Sequence, residues 1–189
     1  DRSDDSNFAG FGSATQVNEG IVARALYAQL HAEGKDRLLF DAGVRLDDHA
    51  RYGSYGVPRF AAGALLPELG LRVRVGYGRA FTAPTFTDLF YPGYGSPTLR
   101  PERSRTWEAG VDGGWLGDRV TARASWHSTR FRDLIQSNSF FVADNVGRAR
   151  IEGEEYSLRL SPGARLSLEA RAAHLLAEDL ANGSPLPKR

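Results

Sequence analysis

The sequence predicts an all-β fold, an antiparallel transmembrane β-barrel segment of about eight strands. Three observations predict it. Apolar and polar residues alternate with a period of two, the connections between the alternating segments are in turn short and long, and aromatic residues gather near segment ends. A barrel strand in a membrane needs one lipid-facing and one water-facing side, so the mean hydropathy of -0.39 agrees with this fold.

Four segments alternate most clearly, namely residues 38–47, 71–78, 120–127 and 155–160. In the second, Leu71, Val73, Val75 and Tyr77 alternate with Arg72, Arg74, Gly76 and Gly78. A helix would instead bring apolar residues back at every third and fourth position. Four weaker segments, residues 20–32, 57–66, 106–113 and 166–178, complete the set of about eight predicted strands.

The connections are predicted to be short at residues 33–36, 67–70, 113–118 and 161–163, each of which contains Gly or Pro. Longer loops are predicted at residues 48–56, 79–104 and 133–140 and in the tail after residue 179. Barrels of the bacterial outer membrane have short periplasmic turns and long external loops. Aromatic residues suited to interfacial girdles are Tyr77, Trp107, Trp115, Trp126 and Phe131.

Composition excludes several classes of function. Lys and Arg number 24 against 23 Asp and Glu, so net charge gives no reason to expect a nucleic-acid partner. Cysteine is absent, which excludes disulfides and thiolate sites within this chain. Ser125 and His127 share the polar side of one predicted strand, but no fuller catalytic set accompanies them, so we predict no enzyme activity, no cofactor and no metal site.

Three passages resemble the TonB-dependent receptor family, and they are also similar to its vitamin B12 (cobalamin) branch. The first runs from Gly78 to Phe90 and contains the Ala83-Pro84 pair; the second is S-P-T-L-R-P-E-R-S at residues 96–104, followed by W-E-A-G. The third joins D-L-I at residues 133–135 to N-V-G-R-A-R-I-E-G at residues 145–153. Gly153-Glu154-Glu155 stands where the family usually has Gly-Val-Glu, and alternation turns Glu154 towards lipid unless a bulge at Gly153 changes the register.

The resemblance implies that residues 1–189 are part of a 22-stranded barrel, without the plug domain and the terminal strands of such a receptor. It implies a receptor in the bacterial outer membrane that takes up a scarce nutrient, cobalamin or an iron–siderophore complex. Its partners would be outer-membrane lipid and lipopolysaccharide, the small nutrient ligand, and the TonB complex, which acts through the missing plug. The final residues 186–189 resemble the end of a loop that leads into a further strand.

If the resemblance holds, the nutrient is expected to contact external loops, and residues 81–100 are the richest candidate. Phe86, Phe90, Tyr91 and Tyr94 offer flat apolar area, and Arg79 and Arg100 offer donors for carboxylate or phosphate groups. The alternative for the aromatic residues is that they pack the loop onto itself or meet lipopolysaccharide.

Three other functions stay open on the residues alone. A passive porin or small structural β-barrel would close eight strands on themselves, although the interior of such a barrel barely holds its side chains. An outer-membrane enzyme would need the Ser125–His127 pair, and a soluble β-sandwich would use the apolar face as its core.

Overall fold

The computed structural model describes residues 6–10, 13–17, 22–35, 37–145, 147–163, 165–181 and 183–186. Eight long strands form one antiparallel sheet: β3 Ala23–Gly34, β4 Leu38–His49, β5 Gly53–Leu66, β6 Leu71–Thr82, β7 Glu102–Trp115, β8 Val120–Arg132, β11 Arg148–Gly163 and β12 Leu166–Asp179. Two hairpins form separate sheets: β1 Ser6–Gly10 with β2 Ser13–Val17, and β9 Ile135–Ser137 with β10 Ala143–Asn145. A 3-10 turn, Pro67–Leu69, and the helix α1, Phe86–Phe90, complete the elements.

The large sheet is a meander in which each strand pairs with its predecessor and successor, in the order β12-β11-β8-β7-β6-β5-β4-β3. This confirms the predicted fold class and its eight strands. Seven predicted segments lie within one observed strand each; the eighth, 20–32, overlaps β3, which begins at Ala23, and residues 20 and 21 lie outside the described part of the chain. The observed strands are 12 to 16 residues long, longer than the 9–11 residues needed to cross a bilayer.

Register gives the sheet two chemically different faces. Directly paired residues lie on the same face, and Phe40, Ala62, Val75, Ala109 and Trp126 are paired in succession across five strands. We call this side the apolar face. The other side, the polar face, carries the alternate positions, including Asp41, Arg74, Asp112, Arg123 and Glu155. The sheet is therefore built to lie between an apolar and an aqueous environment.

Buried apolar side chains are few among the described residues. Apart from Pro84 and Pro101, five are buried, and four of these, Leu89, Leu99, Ile135 and Ala143, form a cluster in the long loops; the fifth is Ala149. On the apolar face, by contrast, Leu26 is 71% exposed and Val75 57% exposed. The sheet thus has no interior of its own, as expected of a barrel wall whose apolar side is covered by lipid. No helix among the described residues is long and apolar enough to cross a membrane.

The short-turn end of the sheet is organised around Trp115. Its indole Nε1 donates a hydrogen bond to the carbonyl oxygen of Leu69 at 2.9 Å and so joins two neighbouring turns. Gly70 has φ 63° and a Cβ there would lie 2.5 Å from the carbonyl oxygen of Gly114. A Cβ at Gly113 would lie 2.3 Å from the indole ring. These two glycines therefore give the indole and the turn the space they occupy.

Two expectations about connections need correction. The loop predicted at residues 48–56 is only Ala50–Tyr52, because β4 and β5 stay paired up to His49 and Gly53. Asp48 and Ser54, both predicted to lie in the loop, are instead paired across the two strands, and the Ser54 hydroxyl donates to the Asp48 carboxylate at 2.8 Å. The strict alternation of short and long connections is therefore wrong at this position. Residues 133–140 are part of a longer loop that contains the β9–β10 hairpin.

The register around Gly153 is unbroken, so Glu154 lies on the apolar face. β11 pairs with β8 without a shift from Arg148 to Leu160, and Glu154 faces Trp126 and His174 on its two neighbours. Its carboxylate accepts a hydrogen bond from the Tyr156 hydroxyl at 3.1 Å. The irregularity in β11 occurs later, between Leu160 and Gly163. The bulge considered at Gly153 is absent from this described strand.

Candidate ligand-binding loops

Two long connections lie at the same end of the sheet. Loop A, residues 83–101, joins β6 to β7, and loop B, residues 133–147, joins β8 to β11. Because β7 and β8 are neighbours in the sheet, the two loops begin and end beside one another. Val146 of loop B lies outside the described residues.

Loop A is folded by local hydrogen bonds around α1. Thr85 caps the helix: its hydroxyl oxygen accepts from the Asp88 backbone N–H at 3.1 Å, and the Asp88 carboxylate accepts from the Thr85 N–H at 2.9 Å. This is a reciprocal capping box, which satisfies two N–H groups at the helix start. After the helix, a Cβ at Gly95 would lie 2.6 Å from the backbone nitrogens of Phe90 and Tyr91, so only glycine fits there.

An apolar cluster joins the two loops. It consists of the buried side chains Leu89 and Leu99 of loop A with Ile135 and Ala143 of loop B, and Phe90 and Tyr94 pack against it. Burial of a side chain such as Leu89 contributes about 2 kcal/mol. The Tyr94 carbonyl also accepts from the Ala143 N–H at 2.7 Å. The loops therefore form one packed body, which we call the loop platform.

Polar contacts hold the same two loops at their bases. The Asn145 side chain hydrogen-bonds both backbone groups of Arg100 and the Asp133 carbonyl, at 2.7 to 2.9 Å. The Asp133 carboxylate pairs with the guanidinium groups of Arg100 and Arg103, each at 2.9 Å. Glu102 accepts from the Ile135 N–H at 2.7 Å. These contacts orient the platform relative to the strands below it.

The short Ala50–Tyr52 connection contacts the platform from the β4–β5 side. Arg51 donates from Nη2 to the Pro97 carbonyl, and its guanidinium carbon lies 5.7 Å from the Phe90 ring centroid. That distance is within the range of a cation–π contact. Three connections of the sheet therefore meet at loop A.

The residues expected at a ligand site fall into three groups. Phe90 and Tyr94 pack against the loop cluster and Arg100 is paired with Asp133, so these three contribute to the structure of the platform. Phe86 lies beside Phe90, with ring centroids 5.9 Å apart, and Tyr91 is 39% exposed. Arg79 is elsewhere: its Nε donates to the Tyr77 hydroxyl at 2.9 Å, on the apolar face of the sheet.

An aromatic pair at the tip of loop B was not predicted from the sequence. Phe140 and Phe141 are 83% and 80% exposed, the largest exposures among the large apolar residues described. The Asn138 side-chain oxygen accepts from the Phe140 and Val142 N–H groups at 2.9 and 3.1 Å, which shapes the tip, and Phe141 has φ 60°. Two adjacent Phe residues in a polar loop were the available signal.

The polar face carries ion pairs between neighbouring strands and within one strand. Asp112 of β7 pairs with Arg74 of β6 and, at 3.4 Å, with Arg123 of β8. Glu169 pairs with Arg171 at 2.8 Å on β12. Elsewhere on this face the His127 imidazole lies over Gly153. Among the described residues no group of three or more His, Asp or Glu side chains could hold a metal ion.

Comparison with known proteins gives a family match across the chain. Residues 1–188 match the family described as TonB dependent receptor-like, beta-barrel. The match covers the whole sheet and both loops of the platform. It agrees with the two-faced antiparallel wall seen in the structure.

Solved structures share the fold. The siderophore receptor PirA from Pseudomonas aeruginosa is 24% identical, with a TM-score of 0.72 over 87% of this chain and 32% of its own. The copper transporter OprC is 19% identical, with a TM-score of 0.76 over 88% and 30%. A variant of the ferric enterobactin receptor PfeA from Pseudomonas aeruginosa, in complex with enterobactin, is 20% identical, with a TM-score of 0.76 over 92% and 29%. This chain thus spans about a third of their length.

Proposed function

This chain belongs to the TonB-dependent receptor β-barrel family, and we propose that it forms part of the barrel wall and external loops of a receptor in the bacterial outer membrane. The receptor takes up a scarce nutrient, with an iron–siderophore complex as the first candidate cargo. The observation that carries the proposal is the family match over residues 1–188 of a sheet with one apolar and one polar face. Two of the similar structures are named as siderophore or ferric enterobactin receptors, which supports the choice of cargo.

Cobalamin is the second candidate cargo. The motifs at residues 78–90, 96–104 and 133–153 favour it, because they resemble the cobalamin branch. A copper ion is a weaker candidate, supported by the resemblance to the copper transporter OprC. The cargo is the transported substrate, and we propose no catalytic role and no resident cofactor for the chain.

The loop platform is the proposed ligand-contact region. Tyr91 of loop A and the Phe140–Phe141 tip of loop B supply exposed aromatic area for an apolar or aromatic ligand, and Phe86 lies half-buried beside Phe90. Phe90, Tyr94 and Arg100 hold the loops in position beneath them. A packed platform binds with less loss of loop entropy than a free loop does.

Energy coupling in this proposal comes from partners outside the chain. The polar face, with its ion pairs around Asp112 and Glu169, surrounds a plug domain, and the TonB complex acts on that plug. Outer-membrane lipid and lipopolysaccharide contact the apolar face.

The test is uptake by the full-length receptor in a Gram-negative strain that lacks its own siderophore and cobalamin receptors. We expect accumulation of a labelled ferric siderophore that depends on the receptor and disappears in a matched strain without TonB. Uptake of labelled cobalamin instead would select the second cargo. Uptake of small solutes regardless of TonB would contradict the proposal and favour the porin alternative.

The ligand-contact assignment has its own test. Tyr91→Ala and the double substitution Phe140→Ala/Phe141→Ala should weaken binding of the transported ligand, because each removes aromatic area from the platform. Leu116→Ala is the matched control, since Leu116 is 76% exposed in a short turn at the opposite end of the sheet. Equal affinity for all variants would contradict the assignment.

A further inference from the structure

The apolar face ends, towards the long loops, in a group of arginines. We call it the arginine patch: Arg79, Arg103, Arg105, Arg130, Arg132, Arg148 and Arg150. Strand register places four of them in one row, since Arg105 faces Arg79 on one side and Arg130 on the other, and Arg130 faces Arg150. The other three form the next row, in which Arg132 faces both Arg103 and Arg148.

On β6 and β7 the patch lies directly beyond an aromatic pair on the same face. Tyr77 and Trp107, one register step below Arg79 and Arg105, are paired with ring centroids 4.6 Å apart. Below them on the apolar face lies the row of Val75, Ala109 and Trp126. We call this row and the apolar side chains beyond it the apolar band. Aromatic rings mark the boundary between the hydrocarbon and headgroup regions of a membrane. The arginines therefore stand where lipid headgroups meet the barrel wall.

The described residues supply too few carboxylates to neutralise this patch. Arg150 pairs with Glu152 and Glu178, and Arg103 pairs with Asp133. In the described part of the chain, the other five arginines have no carboxylate within 4.0 Å, and all five are exposed. Like charges directly opposite on neighbouring strands are unfavourable. An anionic group from outside the chain would remove this repulsion.

The shape of the patch suits a bound phosphate group. Six of its seven arginines line a depression of about 300 Å³, together with Ser104, Phe131 and Leu180. Guanidinium groups bind phosphate oxygens in a bidentate manner. The apolar band beneath is continuous with this depression through Tyr77 and Trp107, so a molecule with phosphates at one end and acyl chains at the other matches both surfaces.

We propose that the arginine patch binds the phosphorylated headgroup of lipopolysaccharide, with the acyl chains of its lipid A lying against the apolar band. This inference rests on the proposed function, because that function places the long loops outside the cell and the apolar face in the outer membrane. The proposed lipid site lies on the apolar face of the sheet. It also gives Arg79 a partner other than the transported nutrient.

The experiment uses the purified full-length receptor in detergent and measures binding of diphosphoryl lipid A by native mass spectrometry. The test variant is Arg79→Gln/Arg105→Gln/Arg130→Gln. The matched control, Arg59→Gln/Arg72→Gln/Arg165→Gln, removes the same charge from the polar face and a short turn. We expect the test variant to bind at least about tenfold more weakly and the control to bind as the unmodified receptor does.

Two further arms separate a lipid site from an anion site and from misfolding. Monophosphoryl lipid A should bind more weakly than the diphosphoryl form, and millimolar inorganic phosphate should not displace either. The variant Arg79→Lys/Arg105→Lys/Arg130→Lys keeps the charge but loses the bidentate fork, and it should show an intermediate affinity even if the Gln variant does not fold.

Unchanged lipid A binding in both test variants, or an equal loss in the control, would overturn the inference, as would displacement by inorganic phosphate. Uptake is measured in parallel with the unmodified receptor. Failure of uptake with intact, patch-dependent lipid A binding would contradict only the proposed function. Normal uptake with patch-independent lipid A binding would contradict only the lipid site.

Discussion

The side chain of Asn145 hydrogen-bonds both backbone groups of Arg100, a residue 45 positions earlier in the chain. Its Oδ1 accepts from the Arg100 N–H at 2.8 Å, and its Nδ2 donates to the Arg100 carbonyl at 2.9 Å. Nδ2 also donates to the Asp133 carbonyl at 2.7 Å. One amide therefore joins the end of loop A to both ends of loop B, and its position makes it the main polar link of the loop platform.

Asn145→Ala should loosen the platform. The substitution removes three hydrogen bonds, and we expect a loss of about 2 kcal/mol of local stability, since each such bond contributes about 1 kcal/mol or less at an exposed site. Hydrogen exchange on the full-length receptor should show the Arg100 and Ala143 amides exchanging roughly tenfold faster or more. Ser139→Ala, at the exposed tip of loop B, is the control. Unchanged protection of both amides would contradict the role given to Asn145.

Gly153→Ala should destabilise the sheet through His127. A Cβ at position 153 would lie 2.2 Å from the imidazole Cε1, so the ring would have to move, at a cost of about 1–3 kcal/mol. The double variant Gly153→Ala/His127→Ala should recover most of that loss. Gly78→Ala is the matched control, because a Cβ there meets nothing within 4 Å. The measurement is thermal unfolding of the full-length receptor, in which these variants are compared with the unmodified protein and with His127→Ala. A loss of stability that persists in the double variant would rule out the contact with His127 as its cause.

The two faces of the sheet should be distinguishable by labelling single cysteines introduced into residues 1–189, which contain none of their own. Probes at Ala124→Cys and Leu158→Cys, on the apolar face, should be quenched by brominated lipid. Probes at Ser125→Cys and Ser157→Cys, on the polar face, should be quenched by aqueous iodide instead. The measurement is fluorescence quenching of the receptor in lipid vesicles. Equal quenching at positions 124 and 125 would mean that the apolar face does not lie in lipid.

Trp115→Phe should weaken the short-turn end of the sheet. It keeps an aromatic ring but removes the 2.9 Å hydrogen bond from Nε1 to the Leu69 carbonyl, at a cost of about 1 kcal/mol. Trp107→Phe is the comparison, because Trp107 contributes a ring contact with Tyr77. Unfolding of the full-length receptor by guanidinium chloride should show the larger shift in midpoint for Trp115→Phe. A larger shift for Trp107→Phe would place the stabilisation in ring packing.

Several parts of the molecule could be predicted from the sequence because they depend on neighbours along the chain. Successive side chains of a strand point to opposite faces, so Val73 and Val75 had to share one face and Arg72 and Arg74 the other. Gly and Pro marked the short turns, as at Pro67 and Gly70. Pro84 and Pro97, which cannot donate to a sheet, marked loop A as a loop.

The candidate site was predicted only in part. The aromatic residues of loop A were found, but their separation into packed and exposed side chains was not, because Phe90 and Tyr94 are held by Ile135 and Ala143 of a different loop. The Phe140–Phe141 tip was missed, since its exposure depends on the turn that Asn138 shapes. The length of the β4–β5 connection was misjudged because pairing between His49 and Gly53 is a contact between strands.

The strands, their two faces and the family resemblance follow from the order of the amino acids alone, because period-two alternation and short motifs are local properties of the chain. The tertiary structure decided which residues stand side by side. It is register that sets Arg79, Arg105, Arg130 and Arg150 in one row across four strands, and loop packing that sets Asn145 against Arg100. Such relationships join residues tens of positions apart, and only the pairing of whole strands specifies them.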